Sequence, residues 1–398
     1  MICCSVLCPV LGRGCSIINS SQWKNITKMI DNIFQILYTT NIRREEIVIE
    51  ERLLTREQFG PLYPLVRNDR ITDINWNGRQ LWIDHLDRGR YCSNILLEAA
   101  FIQQFTSHIS NVVSLNFNKH TPLLEAEANG LRISIIHESY ARSGRSISIR
   151  KSPPIKRLYD EMMIQEQYCT KEMLVFLKNC VKAHMNIVIC GQVGSGKTEL
   201  LKYLTQFIPG NERVITIEDT LEIHYSTIYP DKDGIEIKVD PERFSYTQAI
   251  KASLRQLPNW ILLSESRGDE VRYLMESLTT GHYCMTTIHT DDVRKIPERI
   301  RNMIRDSYAA KRIGRETYIF LDICILIRKT VGSNGMIRRY IDQIGCFSSS
   351  DRGKQQRVIL FVQDGEFVCH QLPEDIMDKF RKNDIEDPFH LAVERSGG

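Results

Sequence analysis

The chain has 398 residues, which is enough for two domains that each bury a core of their own. Hydrophobic residues make up 42% of the sequence and charged residues 25%, as in ordinary soluble globular proteins. The formal net charge is only +3, from 52 basic and 49 acidic side chains, which gives no support for a surface dedicated to nucleic acid or polyacidic partners.

The first 50 residues predict an extension, partly helical or disordered, with MIDNIFQILYTT as its most helix-like segment. Its start lacks a basic leader and a small-residue cleavage site, so we expect no secretory signal. No run in the chain approaches the roughly 18 apolar residues of a membrane-spanning helix. Four cysteines cluster in this extension without completing a zinc pattern, and acylation or metal binding are the alternatives to disorder: Cys3, Cys4, Cys8 and Cys15.

From residue 51 to residue 152 the pattern is that of an α+β domain. RITDINWNG and RQLWIDHLDRGRY alternate apolar and polar residues around Asn77 and Gly78, which predicts a hairpin. A second pair of strands flanks Ser143 and Gly144 in GLRISIIHESYARSGRSISIRK. Between them, apolar residues recur at every fourth position, as on one helix face: Leu97, Phe101, Phe105, Ile109 and Val113. Pro153 and Pro154 forbid a helix and open a linker at 153–160.

Residues 161–398 alternate between strand-like and helix-like segments. This alternation predicts an α/β domain with a mainly parallel sheet covered by helices on both faces. The strand-like runs are NIVIC (186–190), RVITI (213–217), WILLS (260–264), CMTTIH (284–289) and YIFLDICILI (318–327). Near the end, RVILFVQDGEFVCHQL predicts a peripheral hairpin that turns at Asp364 and Gly365.

The segment GQVGSGKT fits the phosphate-loop pattern G-x-x-x-x-G-K-[ST], between a strand-like run and a helical one. Its backbone N–H groups and the helix N-terminus favour a bound phosphate. Lys197 would meet the β- and γ-phosphates, and the Thr198 hydroxyl would ligate Mg²⁺. The predicted nucleotide-binding residues are Gly191, Gln192, Val193, Gly194, Ser195, Gly196, Lys197, Thr198 and Glu199.

Carboxylates follow two further strand-like runs, at the sheet edge where ligands bind such folds. Glu265 ends WILLSE, and Glu218 with Asp219 follows RVITI. One carboxylate can hold a metal ion while the other activates the attacking water. His289 ends CMTTIH, which suits a γ-phosphate sensor as well as a structural histidine.

Taken in order, GQVGSGKTELL, VITIEDTLEI, LRQLPNWILLSESRG and TGHYCMTTIHTDD resemble four boxes of the type II/type IV secretion ATPases. These are the phosphate loop, the aspartate box, the Walker B box and the histidine box. The resemblance implies a RecA-like ATPase domain behind a smaller sensor domain, in a hexameric ring that uses ATP and Mg²⁺.

The resemblance also implies roles for individual residues. Glu218 would activate water, Glu265 would serve the Mg²⁺ site with Thr198, and His289 would sense the γ-phosphate. The same comparison implies that three arginines assist: Arg132 and Arg150 at the phosphates, and Arg267 between neighbouring elements. Ser264, Leu257 and Asn259 depart from the family's usual residues without removing a phosphate or metal ligand. The type II four-cysteine zinc module is absent, so the chain looks closer to the tight-adherence pilus and conjugation branch.

The leading hypothesis is therefore a cytoplasmic motor ATPase that associates with the inner face of the cell membrane through platform proteins of a secretion or pilus system. We expect no direct contact with nucleic acid and no membrane span.

A RecA-like nucleic-acid motor is the first alternative, but the basic segment 291–316 carries an apolar stripe at Val293, Ile296, Ile300 and Ile304, typical of an amphipathic helix. A small-molecule kinase or a GTPase is the second alternative. The sequence does not contain N-K-x-D, the motif that reads guanine.

Overall fold

The computed structural model describes residues 55–128, 130–240, 242–333, 335–350 and 355–390. The helical segment expected at 29–40 and the cysteine cluster at 3–15 lie outside these described residues. Within the described ranges, no helix is both long and apolar enough to cross a membrane.

The described residues form helices α1–α12 and strands β1–β15, with short 3-10 turns at Gly60–Leu62 and Val293–Lys295. The helices are α1 (Arg56–Phe59), α2 (Tyr63–Arg67), α3 (Ala99–Val112), α4 (Asp160–Gln165), α5 (Lys171–Lys182), α6 (Lys197–Thr205), α7 (Tyr225–Ile228), α8 (Tyr246–Ser253), α9 (Glu270–Leu278), α10 (Ile296–Met303), α11 (Ser307–Phe320) and α12 (Glu374–Arg381). The strands are β1 (Ile71–Trp76), β2 (Leu81–His85), β3 (Gly89–Cys92), β4 (Leu123–Ala128), β5 (Leu131–Ile136), β6 (Ser146–Lys151), β7 (Ile187–Gly191), β8 (Val214–Glu218), β9 (Gly234–Lys238), β10 (Trp260–Leu263), β11 (Tyr283–Ile288), β12 (Ile323–Val331), β13 (Ile337–Ser350), β14 (Gln355–Gln363) and β15 (Glu366–Phe367).

Strands β1 to β6 form an antiparallel sheet in the order β3-β2-β1-β6-β5-β4, which we call the N-terminal sheet. Both predicted strand pairs are confirmed, and the predicted helix is present as α3, although Leu97 and Val113 lie just outside its ends. Phe105 and Ile109 of α3 are buried in the core of this sheet. The edge strands β3 and β4 were not predicted. β3 has only four residues, and β4 alternates in burial but is built partly from Glu and Ala, which are depleted in strands.

The two turns of the N-terminal sheet lie against each other, backbone to backbone. A Cβ atom on Gly78 would lie 2.7 Å from the Ser143 carbonyl carbon and 2.9 Å from the Gly144 Cα atom. Gly78 has φ of +92° and Gly144 has φ of +117°, in the region that favours glycine. Gly78 therefore requires glycine for space and for backbone conformation, whereas at Gly144 the conformation requires it and a Cβ atom would be tightly placed, 3.1 Å from the Gly78 backbone.

The second sheet has nine strands in the order β15-β14-β13-β12-β7-β11-β10-β8-β9. The strands from β12 to β9 in this order pair in parallel, while β13, β14 and β15 are antiparallel to their neighbours. The α/β prediction is confirmed, but the sheet is mixed. The hairpin predicted around Asp364 and Gly365 is present as β14 and β15.

One predicted strand is partly wrong. Residues 318–320 close the helix α11, and the strand β12 begins only at Ile323. Ile313 and Thr317 are both fully buried one helical turn apart, so core packing holds the segment as a helix despite its strand-forming Tyr, Ile and Phe.

Helices cover both faces of the nine-stranded sheet, as predicted. Alternate residues of β7 point to opposite faces of the sheet, each with its own hydrophobic core. Ile187 and Ile189 belong to the core that contains α5 and α6, whereas Val188 and Cys190 belong to the core that contains α8 to α11. The apolar stripe predicted in the basic segment is also confirmed as core, with these residues buried: Val293, Ile296, Ile300 and Ile304.

Candidate nucleotide-binding site

The phosphate loop joins the end of β7 to the start of α6, as the motif predicts. Its first residue, Gly191, lies against the neighbouring strand β12. A Cβ atom on Gly191 would come within 2.5 Å of the Ile327 carbonyl oxygen and 2.6 Å of Ser195 Oγ. Only glycine fits there, so strand β12 fixes the position at which the loop leaves the sheet.

The loop presents two buried polar groups without charged partners of their own. Lys197 is 7% exposed, and its Nζ atom donates to the carbonyl oxygens of Gly191 and Gln192, each at 3.2 Å. Burial lowers the pKa of Lys197 to about 8. The buried Ser195 hydroxyl has no hydrogen-bond partner among the described residues. A buried ammonium group and an unpaired hydroxyl fit the oxygens of a bound phosphate.

His289 connects Lys197 to the Glu265 carboxylate. Its Nδ1 atom lies 3.2 Å from Lys197 Nζ, and its Nε2 atom lies 3.1 Å from Glu265 Oε1. With the proton on Nε2, the ring accepts from the lysine and donates to the carboxylate. The structure therefore brings together the three predicted residues that follow three different strands.

Arg267 extends this network to the next strand end. Its guanidinium donates to Glu265 Oε2 at 2.9 Å and to Asp219 Oδ2 at 3.0 Å. The arginine holds the pKa of the Glu265 carboxyl below its ordinary value, against the opposing effect of burial, with help from His289. Glu265 therefore carries a negative charge beside the loop.

Glu218 occupies a different environment from the one that its predicted role suggests. Its side chain is fully buried, and its oxygens accept the backbone N–H groups of Glu222 and Ile223 at 2.9 and 3.1 Å. Burial raises its pKa to about 8. The carboxylate thus fixes the conformation of residues 219–224, which we call the aspartate-box loop. That Glu218 activates water stays a prediction.

Glu222 is the carboxylate of this loop that reaches the phosphate loop, and the sequence analysis did not single it out. The Thr198 hydroxyl donates to Glu222 Oε2 at 3.1 Å. Glu222 lies four residues beyond Glu218, in a loop rather than at a strand end. The only signal for it in the sequence is that it is the third acidic residue of IEDTLE, and an argument restricted to the ends of strands does not consider it.

Both predicted arginines of the N-terminal sheet meet the aspartate-box loop. Arg132 and Arg150 are paired across β5 and β6. Arg132 Nη1 donates to Thr220 Oγ1 at 2.8 Å, and Arg150 Nη2 lies 3.9 Å from Glu222 Oε1. Two positive charges therefore lie beside the same loop as the Thr198–Glu222 contact.

The oxygen atoms around Thr198 suit a magnesium ion. Mg²⁺ prefers one or two carboxylates with hydroxyl, water and phosphate oxygens. The Thr198 hydroxyl already contacts Glu222, and Glu265 is connected through His289 to Lys197, the residue before Thr198. The donor set fits the metal that the phosphate-loop motif implies.

A family model described as "Type II/IV secretion system protein" matches residues 124–359 of the chain. Among curated proteins, an uncharacterised protein of Bacillus anthracis is 29% identical over 240 residues, covering 60% of this chain and 54% of that protein. Type IV secretion system protein VirB11 of Bartonella quintana is 30% identical over 194 residues, covering 46% of this chain and 53% of that protein. The chain spans about half the length of the curated relatives it matches.

Among solved structures, the Yersinia pseudotuberculosis ATPase DotB superimposes with a TM-score of 0.54 and 16% identity. The match covers 73% of this chain and 78% of that chain. At this identity the similarity concerns the fold alone.

Proposed function

Because the chain belongs to the type II/IV secretion system protein family, we propose that it binds ATP at the phosphate loop and hydrolyses it. The observation that carries this proposal is the buried Lys197 ammonium, whose hydrogen-bond partners are two backbone carbonyls and His289 and which therefore lacks a direct carboxylate partner. The neighbouring Ser195 hydroxyl is likewise without a partner among the described residues.

The site contains a group for each requirement of phosphoryl transfer. Lys197 would neutralise the β- and γ-phosphates, and His289 would report the presence of the γ-phosphate to Glu265. Mg²⁺, held by Thr198 and Glu265, would supply charge neutralisation at the phosphate oxygens. Glu222 would take the proton of the attacking water, with Glu218 either shaping the loop that carries Glu222 or activating the water itself.

The arginines of the N-terminal sheet would stabilise the charge that develops on the transferred phosphoryl group. Arg132 and Arg150 reach the aspartate-box loop from a different sheet, so their distance to the phosphate depends on how the two sheets are held together. Arginines supplied in this way contribute about 10³–10⁵ in rate in other phosphate-loop enzymes.

We also propose the architecture that the family implies. Residues 51–152 would form a sensor domain, 153–160 a linker, and 161–398 a RecA-like ATPase domain, assembled as a hexamer. The ring would act at the inner face of the cell membrane, with platform proteins of a type IV secretion, conjugation or tight-adherence pilus system as partners.

Phosphate release by the purified chain tests the enzymatic proposal. Wild type with ATP and Mg²⁺ should release free phosphate without any second substrate, and light scattering should show a larger assembly with a non-hydrolysable ATP analogue. Absence of ATP binding would overturn the proposal. DNA-stimulated hydrolysis with a steep salt dependence would favour the nucleic-acid motor instead.

A further inference from the structure

Arg339 joins the phosphate loop to the N-terminal sheet. It lies on β13, and its Nε atom donates to the Gly194 carbonyl oxygen at 3.1 Å. Its Nη1 atom donates to the Leu86 carbonyl oxygen at 2.8 Å, in the turn between β2 and β3. One planar guanidinium therefore contacts both the loop that would hold the phosphates and the sheet that carries Arg132 and Arg150.

The turn that receives Arg339 is already held in place by its own contacts. The Leu86 N–H donates to the Arg70 carbonyl at 2.8 Å, and Arg70 Nε donates to Asp87 Oδ2 at 2.9 Å. The next carbonyl, that of Asp87, accepts the backbone N–H of Ile337 at 2.6 Å. Two consecutive carbonyls thus face the β12–β13 hairpin, so the turn is a rigid support for it.

The charge of Arg339 has no carboxylate partner in the described part of the chain; its hydrogen bonds go to two carbonyls. The nearby Asp87 carboxylate is occupied by Arg70. Arg339 is half-buried, and this burial lowers the pKa of its guanidinium from the ordinary value. Its Cδ atom lies 3.8 Å from where a Cβ atom on Gly196 would be, so this charge is next to the loop.

We propose that Arg339 is a positioning residue that couples the phosphate loop to the N-terminal sheet. This inference rests on the proposed ATP hydrolysis. When phosphates bind, the loop backbone is fixed, and the Gly194 contact transmits its position through Arg339 to the Leu86 turn. The same sheet then holds Arg132 and Arg150 at the distance that hydrolysis requires.

A pair of substitutions on one strand tests this role. Arg339→Met keeps an unbranched apolar side chain but removes the guanidinium with its charge and donors, whereas Arg338→Met is the matched control. Arg338 is the preceding residue on β13, and its Nη2 atom donates to Gln167 Oε1 at 3.0 Å. We expect Arg339→Met to lower kcat about tenfold, as for the loss of a charge-assisted hydrogen bond. Arg339→Lys should restore part of that loss, and Arg338→Met should match wild type.

A double-mutant cycle separates coupling from a general loss of structure. If Arg339 holds the sheet in register, Arg150→Ala should reduce kcat strongly in wild type and much less in the Arg339→Met background. In the Arg338→Met background, Arg150→Ala should reduce kcat by the same factor as in wild type. Amide exchange at residues 86–88 should also respond to ATP in wild type and not in Arg339→Met.

The outcomes separate this inference from the proposed function. If wild type hydrolyses ATP while Arg339→Met has wild-type kcat, or combines multiplicatively with Arg150→Ala, the coupling role is overturned and the ATPase proposal stands. If wild type binds no ATP in an equilibrium assay with a fluorescent ATP analogue, the ATPase proposal fails and the coupling role fails with it.

Discussion

The Thr198 hydroxyl and the Glu222 carboxylate are joined by a hydrogen bond of 3.1 Å. This bond connects the first turn of α6 to the aspartate-box loop. It places a carboxylate next to the residue that would ligate Mg²⁺. Glu218, four residues earlier, faces the backbone of its own loop instead.

The first prediction distinguishes these two glutamates. Glu222→Gln should retain ATP binding and lose turnover by at least about a hundredfold, because the amide cannot accept the proton of the attacking water. It should leave the unfolding temperature close to that of wild type. Phosphate release, ATP affinity and thermal unfolding, measured on one preparation, check this.

Glu218→Gln provides the comparison. Its amide oxygen can accept the two backbone N–H groups that now bond to one carboxyl oxygen, Glu218 Oε2, so this variant should stay folded. A stable Glu218→Gln protein without turnover, next to an active Glu222→Gln protein, would assign water activation to Glu218.

The second prediction concerns stability and pH. The folded protein keeps a proton on Glu218 up to about pH 8, whereas the unfolded chain releases it near the ordinary pKa of 4.5. The stabilising contribution of Glu218 is therefore complete below pH 4.5 and is lost as the pH rises to about 8, by up to about 1.4 kcal/mol per pH unit. Chemical denaturation between pH 5 and pH 8 measures the slope, and Glu218→Gln should flatten it. Equal slopes for the two proteins would contradict the assignment.

The third prediction concerns Lys197. Lys197→Ala should abolish ATP turnover, because it removes the positive charge that faces the β- and γ-phosphates. Lys182→Ala, at an exposed position of α5, is the control and should hydrolyse ATP like wild type. Significant phosphate release by Lys197→Ala would mean that the nucleotide is hydrolysed elsewhere.

The fourth prediction concerns the arginines of the N-terminal sheet. Arg150→Ala should slow turnover by about tenfold to a thousandfold in an assembled protein, without unfolding it, because Arg150 is more than half exposed. Arg142→Ala removes another exposed arginine between β5 and β6 and should have no effect. An unchanged rate for Arg150→Ala would remove this arginine from the site.

The fifth prediction concerns the metal. Chelation of Mg²⁺ should stop turnover, and adding Mg²⁺ should restore it. Thr198→Val keeps the shape of the side chain but removes the hydroxyl, so a higher Mg²⁺ concentration should be needed for half-maximal rate. A titration of rate against Mg²⁺ for both proteins measures the shift. Identical curves would show that Thr198 does not contact the metal.

Much of the site could be predicted because its residues follow strands of one sheet. The carboxyl ends of β7, β8, β10 and β11 meet at one edge of the sheet. The parallel pairing of these strands is therefore enough to bring Lys197, Glu265 and His289 to the same edge. The strands themselves were found because their buried apolar runs are bounded by polar turns.

The contacts that escaped prediction depend on how loops and sheets dock. Glu222 lies in a loop whose path is set by the buried Glu218, and no periodicity marks it. Arg339 belongs to β13, a strand that was not predicted, and its two partners are 145 and 253 residues away along the chain. Such pairs become visible only once the tertiary structure is known.

The close approach of Gly78 to Gly144 has a consequence for how this chain can change over evolution. The two hairpin tips, which are distant in sequence, pack so closely that a Cβ atom on Gly78 would overlap the opposite backbone and one on Gly144 would lie only 3.1 Å from it. A methyl group at either turn would displace the opposite turn, so a substitution at one position is tolerated only if the other turn can move. Random mutagenesis selected for folding should leave both positions unaltered while the adjoining residue Arg79 varies widely.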